Sequence, residues 1–178
     1  MTLPEAYLKH ILSFEGGYSD NKVDRGGKTN FGVTQRTYDR WLSDHNKPIR
    51  HVKYIEMHEV WSIYDELFWR TAKCSTLPVP LDMVVFDSAV QHGPGRAARW
   101  LQGIVGTAQD GDIGLKTLAA LNDIVTTYSI GWVVQAYLGV RDEFYEQIMR
   151  NDPSQEMFRR GWANRMKRLR TLVKETNV

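Results

Sequence analysis

Apolar positions recur at helical spacing along most of the chain. Leu8, Ile11 and Leu12 share one face of a helix predicted over residues 3–15. Gly16-Gly17 end it, as glycine does at a helix C-terminus. Residues 16–34 are rich in glycine and short polar side chains and predict a turn-rich excursion, a loop or a small hairpin. Thr34 then reads as a hydroxyl cap, followed by Thr37, Tyr38, Trp41 and Leu42 at helical spacing. The polar stretch 43–49, with Pro48, is a loop. Residues 51–70 predict one helix with Val52, Ile55, Val60, Ile63, Tyr64, Leu67 and Phe68 on its apolar face. Two prolines break the chain over 74–80.

Residues 81–92 are the most apolar run, with Leu81, Met83, Val84, Val85, Phe86, Ala89 and Val90. A helix apolar on nearly all sides belongs at the centre of a domain. Shorter helices are predicted over 96–103 and 117–122, a long one over 130–150, and a last one opening at Phe158 after the Asp152-Pro153 break. The fold class is therefore mainly α, with one small hairpin or loop region after the first helix. No internal repeat or linker interrupts the pattern, so the chain reads as a single domain, 1–178, with a front half over 1–93 and a helical rear half over 94–178 packed with it.

Composition changes this picture little. The 178 residues suffice for a sizeable core, and 42% of them are hydrophobic. A formal net charge of +2 is too small to imply a polyanionic partner by itself. The single cysteine, Cys74, excludes an internal disulfide and has no activating neighbours in sequence. The five histidines lack metal-ligand spacing, and neither a Gly-x-Ser-x-Gly elbow nor a phosphate-binding glycine loop is present. No metal or cofactor is expected. No stretch is apolar for long enough to span a membrane, and the N-terminus lacks the cationic start and apolar run of a signal peptide.

The candidate chemistry gathers at the end of the first helix. Glu15 follows Ile11 by four residues and Leu12 by three, so a continuous helix places it on the apolar face. It also falls at the negative end of the helix dipole. Both placements disfavour the charged form, which suits a carboxylic acid that must hold its proton near neutral pH. Eight residues separate Glu15 from Asp24, and Thr29 follows. One buried acid, one solvated acid and one hydroxyl around a cleft can hydrolyse a glycosidic bond: one carboxyl protonates the leaving oxygen, and the other steadies charge or activates water. The bland readings are a solvated helix-end carboxylate for Glu15, a turn aspartate capping its own backbone for Asp24, and an idle strand hydroxyl for Thr29.

The run Glu15-Gly16-Gly17-Tyr18, followed by Asp24-Arg25-Gly26-Gly27-Lys28-Thr29-Asn30-Phe31-Gly32-Val33-Thr34, resembles the mark of the glycoside hydrolase family 108 muramidases. The order Glu, Asp, Thr is similar to the catalytic triad of phage-type lysozymes, with an Asp-to-Thr gap one residue shorter here. Arg25 stands where the family usually has Pro. Phe86-Asp87-Ser88-Ala89-Val90 resembles a further family motif, with Gln91 in place of its Asn. Gln109 to Leu118 looks like the Asp-Gly-x-x-Gly-x-x-Thr turn of peptidoglycan-binding modules, with Leu115 in place of Pro. Arg141, Phe144-Tyr145, Phe158, Gly161-Trp162 and Arg165 match the C-terminal signature that accompanies the family.

The resemblance implies a lysozyme-like helical fold and an N-acetylmuramidase that cleaves the β-1,4 bond between N-acetylmuramic acid and N-acetylglucosamine. It implies Glu15, Asp24 and Thr29 as catalytic residues, and Tyr18, Gln91 and Asp87 as substrate contacts. Tyr18 reads equally as packing, and Asp87, if buried, as a structural hydrogen-bonding group. The expected partner is the peptidoglycan glycan strand, met by a monomer. The setting expected first is a phage endolysin, made in the host cytoplasm and reaching the wall through a holin-type partner. A bacterial muramidase serving an export system comes second. The competing class is a non-catalytic wall-binding module, against which Glu15 and Asp24 together argue. The basic last helix, with Arg159, Arg160, Arg165, Lys167, Arg168, Arg170 and Lys174, reads as a solvated face or as attraction to an anionic wall or membrane. A nucleic-acid partner would rest on that charge alone and is not expected.

Overall fold

The computed structural model describes residues 2–20 and 27–176. The chain falls into two compact units, Met1–Leu67 and Phe68–Val178.

In the first unit, helix α1 spans Glu5–Leu12 and buries Tyr7, Leu8 and Ile11. It is shorter than the predicted 3–15 at both ends. Pro4 disfavours the α conformation at Leu3, whose amide instead donates to the buried Asp65 carboxylate at 2.8 Å. At the other end the Ser13 hydroxyl donates to the His10 carbonyl at 2.7 Å. The chain leaves in tight i→i+3 turns, with the Phe14 amide on Ile11 and the Glu15 amide on Leu12. A hairpin is present: β1, Thr29–Asn30, pairs antiparallel with β2, Val33–Thr34. Helix α2, Gln35–Asp44, starts at the Thr34 cap as the sequence indicates, the Thr37 amide donating to the Thr34 hydroxyl at 3.1 Å.

The helix predicted over 51–70 is instead three pieces. A 3-10 turn covers Val52–Tyr54, helix α3 covers Met57–Tyr64, and a wide π-type turn covers Asp65–Arg70. Side chains from the hairpin and α2 claim the backbone groups a continuous helix would use. The Asn30 amide donates to the carbonyls of Val52 and Lys53 at 3.3 Å, and Gln35 accepts from the Val52 amide at 2.7 Å. Glu56 and Glu59 form a reciprocal capping box that starts α3 afresh. The buried Glu59 also accepts from Tyr38 at 2.6 Å and from Arg50. Burial pushes its pKa up, but the bonds from Tyr38 and the Glu56 amide, with the Arg50 charge, outweigh that and lower it.

In the second unit, α4, Leu81–His92, has every residue from Leu81 to Ala89 buried, as expected of the central helix. Around it pack α5, Pro94–Val105, α7, Ile130–Asn151, and α8, Arg159–Thr176. Helix α6, Leu115–Thr127, runs longer than the predicted 117–122 and packs on α5 and α7. Gly93-Pro94 separates α4 from α5, with Pro in the first turn where its missing N–H costs nothing. Cys74 is fully buried, and burial pushes its thiol pKa up, which disfavours the reactive thiolate.

Candidate active site

Glu15 lies half-buried just beyond α1 and faces the hairpin. The hairpin turns over two residues, Phe31 with φ 50° and Gly32 with φ 74°. Positive φ at both central positions is the pattern of a type I′ turn, whose twist matches its flanking strands. Phe31 is an unusual residue for that conformation. The Tyr64 hydroxyl donates to its carbonyl at 3.0 Å and holds the turn in place. A Cβ added at Gly32 would meet the Tyr64 hydroxyl at 2.6 Å and Oε2 of Glu15 at 2.9 Å. Glycine is thus required at position 32 twice over, by φ and by the carboxylate and phenol packed against its backbone. α1 brings the acid, the hairpin closes over it, and α3 supplies the phenol.

The same hairpin carries Thr29, half-buried on β1. Ser19 and Thr29 exchange two backbone hydrogen bonds of 2.9 Å, so the segment between them leaves and returns at one point beside the hairpin. Asp24 falls in that segment and lies outside the described residues. Tyr18, next to Ser19, is 38% exposed, with its ring 5.8 Å from that of His51 and the Lys53 ammonium 5.9 Å from its centroid. Glu15 and Tyr18 therefore lie beside the hairpin that carries Thr29. Gly32 lies within the family mark and Tyr64 on the apolar face of residues 51–70, but neither carried a site role in sequence. Tyr64 reads as one more aromatic on an apolar face, and only the folded chain aims its hydroxyl at the turn.

Gln91 and Asp87 belong to the second unit. Gln91 is exposed and accepts from the Tyr145 hydroxyl at 3.3 Å. Asp87 corrects the expectation of a substrate contact, because its side chain has no exposed surface. Arg141 donates to it at 2.9 Å, and Nε of Arg165 reaches both its oxygens at 3.0 Å. Arg141 in turn donates to Ser88 at 3.3 Å and twice to the Tyr145 hydroxyl at 3.1 Å. This is a buried carboxylate flanked by two guanidiniums, joining α4, α7 and α8. In the last helix Arg165 is interior, whereas Arg159, paired with Glu146 at 2.9 Å, and Arg160, Lys167, Arg168 and Lys174 are exposed as the solvated reading has it.

The peptidoglycan-module-like turn is held chiefly by Gln102, with Asp110 accepting from the Asp112 amide at 2.9 Å and Lys73 pairing with Asp112 at 2.6 Å. The Gln102 amide donates to Asp110 at 2.6 Å and to the Asp112 carbonyl at 3.1 Å, and its oxygen accepts from the Gly111 amide at 2.9 Å. A carboxyamide offers both donor and acceptor, which is what a turn with mixed backbone demands requires.

The Glycosyl hydrolase 108 family matches residues 8–93, and the family described as "Predicted Peptidoglycan domain" matches residues 96–167. No curated protein matches the chain. Among solved structures the chain is similar to SagA of Brucella abortus, with 31% identity and a TM-score of 0.72 over 96% of this chain and 93% of that one. With Glu15 and the hairpin it faces in the first matched region and the arginine-bound core in the second, the chain belongs to the glycosyl hydrolase 108 family and is a lysozyme-like glycoside hydrolase of peptidoglycan.

Proposed function

We propose that the chain is an N-acetylmuramidase, hydrolysing the β-1,4 bond between N-acetylmuramic acid and N-acetylglucosamine. The observation that carries this reading is the Glu15 carboxylate packed against the Gly32 backbone, which the Tyr64 hydroxyl also approaches. A carboxyl in so confined a place is oriented before substrate arrives, which is what a general acid requires. Glu15 donates its proton to the glycosidic oxygen as the bond to the anomeric carbon breaks. Asp24 stabilises the oxocarbenium-like charge or takes a proton from the attacking water, and Thr29 holds that water. Tyr18 offers a ring face to a sugar, and Gln91 offers an exposed amide.

The test is release of muramic-acid reducing ends from purified peptidoglycan between pH 4 and 9. Glu15→Gln keeps the shape of the side chain and removes the transferable proton. A fall of at least about 100-fold is expected, in line with the share of catalysis carried by general acids. Wild-type activity in Glu15→Gln would move the acid elsewhere. Cosedimentation with peptidoglycan without cleavage by either protein would favour a binding module.

For the biological setting we propose a phage endolysin acting in the periplasm, given access to the wall by a holin-type pore. A bacterial muramidase of an export system is the second reading, favoured by the near-full-length similarity to SagA of Brucella abortus. Expression in the cytoplasm with and without a holin tests the first: lysis that depends on the holin is expected, and lysis without it would overturn the holin-dependent setting.

A further inference from the structure

The first unit contains a cleft that the catalytic reading leaves unused. It encloses about 230 Å³ between α2 and the residues that follow α3, and is walled by Arg36, Arg40, Trp41, Asp44, Glu66 and Leu67. Its polar groups are unequally engaged. Glu66 is held by the Trp41 indole N–H at 3.1 Å and by His45 at 3.3 Å. Arg40 reaches Asp44 only at 3.8 Å, between two largely exposed side chains, and Arg36 has no acceptor among the described residues. The cleft thus presents two weakly committed guanidiniums at its rim, a carboxylate beside them, and an apolar wall of Trp41 and the 38% exposed Leu67.

Its position follows from the chain. Thr34 is the cross-strand partner of Thr29, about 5 Å away between Cα atoms. α2 leaves from Thr34, and at about 1.5 Å per residue Arg36 and Arg40 lie within about 10 Å of it along the helix. A tripeptide extended at about 3.4 Å per residue covers the same distance.

We infer that this cleft binds the stem peptide of peptidoglycan, Arg36 and Arg40 receiving its carboxylates. The inference rests on the muramidase reading. The glycan itself is uncharged where its muramic acids carry peptides, so the charges of the substrate are those of the peptide: free carboxylates and, at its third residue, a side-chain ammonium in many walls. Guanidiniums match carboxylates in charge and fork geometry. Asp44 stands beside them for the ammonium, and the apolar wall covers the peptide's methylenes. The enzyme therefore distinguishes peptide-bearing from bare glycan through α2, a helix that carries no catalytic residue.

Two substrates test this: glycan strands with stem peptides, and the same strands stripped by an amidase. Wild type is expected to cleave the first with a kcat/KM at least fivefold higher. In Arg36→Glu/Arg40→Glu, and in the milder Arg36→Gln/Arg40→Gln should the reversal misfold, that ratio falls to about one. An undiminished ratio in a folded variant, or no wild-type preference, overturns the inference. Titration of the soluble alanyl-glutamyl-diaminopimelate tripeptide into Glu15→Gln, followed by NMR, separates this proposal from the one beneath it. If wild type releases no reducing ends but the tripeptide shifts α2 resonances, and the double variant abolishes those shifts, the muramidase reading fails and the cleft stands. If cleavage proceeds and the tripeptide shifts nothing, the cleft fails alone. Displacement of the tripeptide by an equal concentration of a polyphosphate chain would point to a phosphate polymer as the occupant and overturn the assignment.

Discussion

At the scale of single residues, the active-site region depends on Gly32 as much as on Glu15. Gly32→Ala places a methyl within 3 Å of both the Glu15 carboxylate and the Tyr64 hydroxyl, on a backbone that already has φ 74°. We expect a loss of stability of about 1–3 kcal/mol and a fall in kcat larger than the rise in KM, because the acid is displaced rather than removed. Thermal unfolding and Michaelis kinetics on solubilised glycan read the two effects separately. Tyr64→Phe removes the donor to the Phe31 carbonyl, with an expected cost of about 1 kcal/mol. If Tyr64 also orients the acid, kcat falls by more than that loss of stability accounts for. Glu15 itself was legible as a carboxylate following an apolar helical face, although the helix ends at Leu12, before reaching it. Its neighbours were not, because a glycine and a tyrosine carry no sign in sequence of being packed against it from residues 32 and 64.

At the scale of elements, the second unit is organised by charges inside an apolar helix packing. Asp87 lies on the most buried helix, and Arg141 and Arg165 reach it from α7 and α8. Asp87→Leu leaves two buried cations without their anion and is expected to cost about 3–5 kcal/mol in urea unfolding. KM for peptidoglycan in the folded fraction should stay near the wild-type value. A KM raised severalfold in well-folded Asp87→Asn would restore Asp87 as a substrate contact. The turn before α6 depends on Gln102 in a similar way. Gln102→Ala strands the Gly111 amide and frees the loop, at an expected cost of about 1–3 kcal/mol. Limited proteolysis should then cut within residues 107–114 well before the rest of the unit. The helix predicted over 51–70 shows the opposite case. Its apolar spacing is genuine, but hydrogen bonds from Asn30 and Gln35 divide it, and periodicity carries no information about partners 20 residues away.

At the scale of the whole molecule, pH acts through His92. Its ring sits among Trp100, Phe144 and Tyr145, with centroids 5.2, 5.2 and 5.4 Å away. Burial, with the charges of Arg141 and Arg96, pushes its pKa down from 6.5 to about 3. Above pH 6.5 the ring is neutral in both folded and unfolded chains and has no effect on the pH dependence. Between pH 6.5 and about 3 the unfolded chain takes up a proton that the folded one refuses, so stability falls as pH is lowered through that window. His92→Phe keeps the ring packing and cannot titrate. The stability difference between wild type and His92→Phe should therefore move in favour of the variant as pH drops from 7 to 4, in urea titrations at each pH. A difference independent of pH would mean that His92 protonates without resistance in the folded protein.

The sequence by itself determined the class of the fold, the central helix over 81–92, a turn-rich segment after the first helix, the Thr34 cap and the presence of a carboxylate, Glu15, just past that helix. These are read from spacing along one helix or strand, or from the chemistry of one turn, and such signals are local. The tertiary structure alone decided that Asp87 is an interior anchor rather than a sugar contact, that Arg165 is buried, that Gly32 and Tyr64 confine the acid, and that α2 offers two weakly engaged arginines beside the hairpin. Each of these is a meeting of side chains far apart in sequence. Packing, burial and hydrogen-bond partners belong to the folded arrangement, and no period along the chain encodes them.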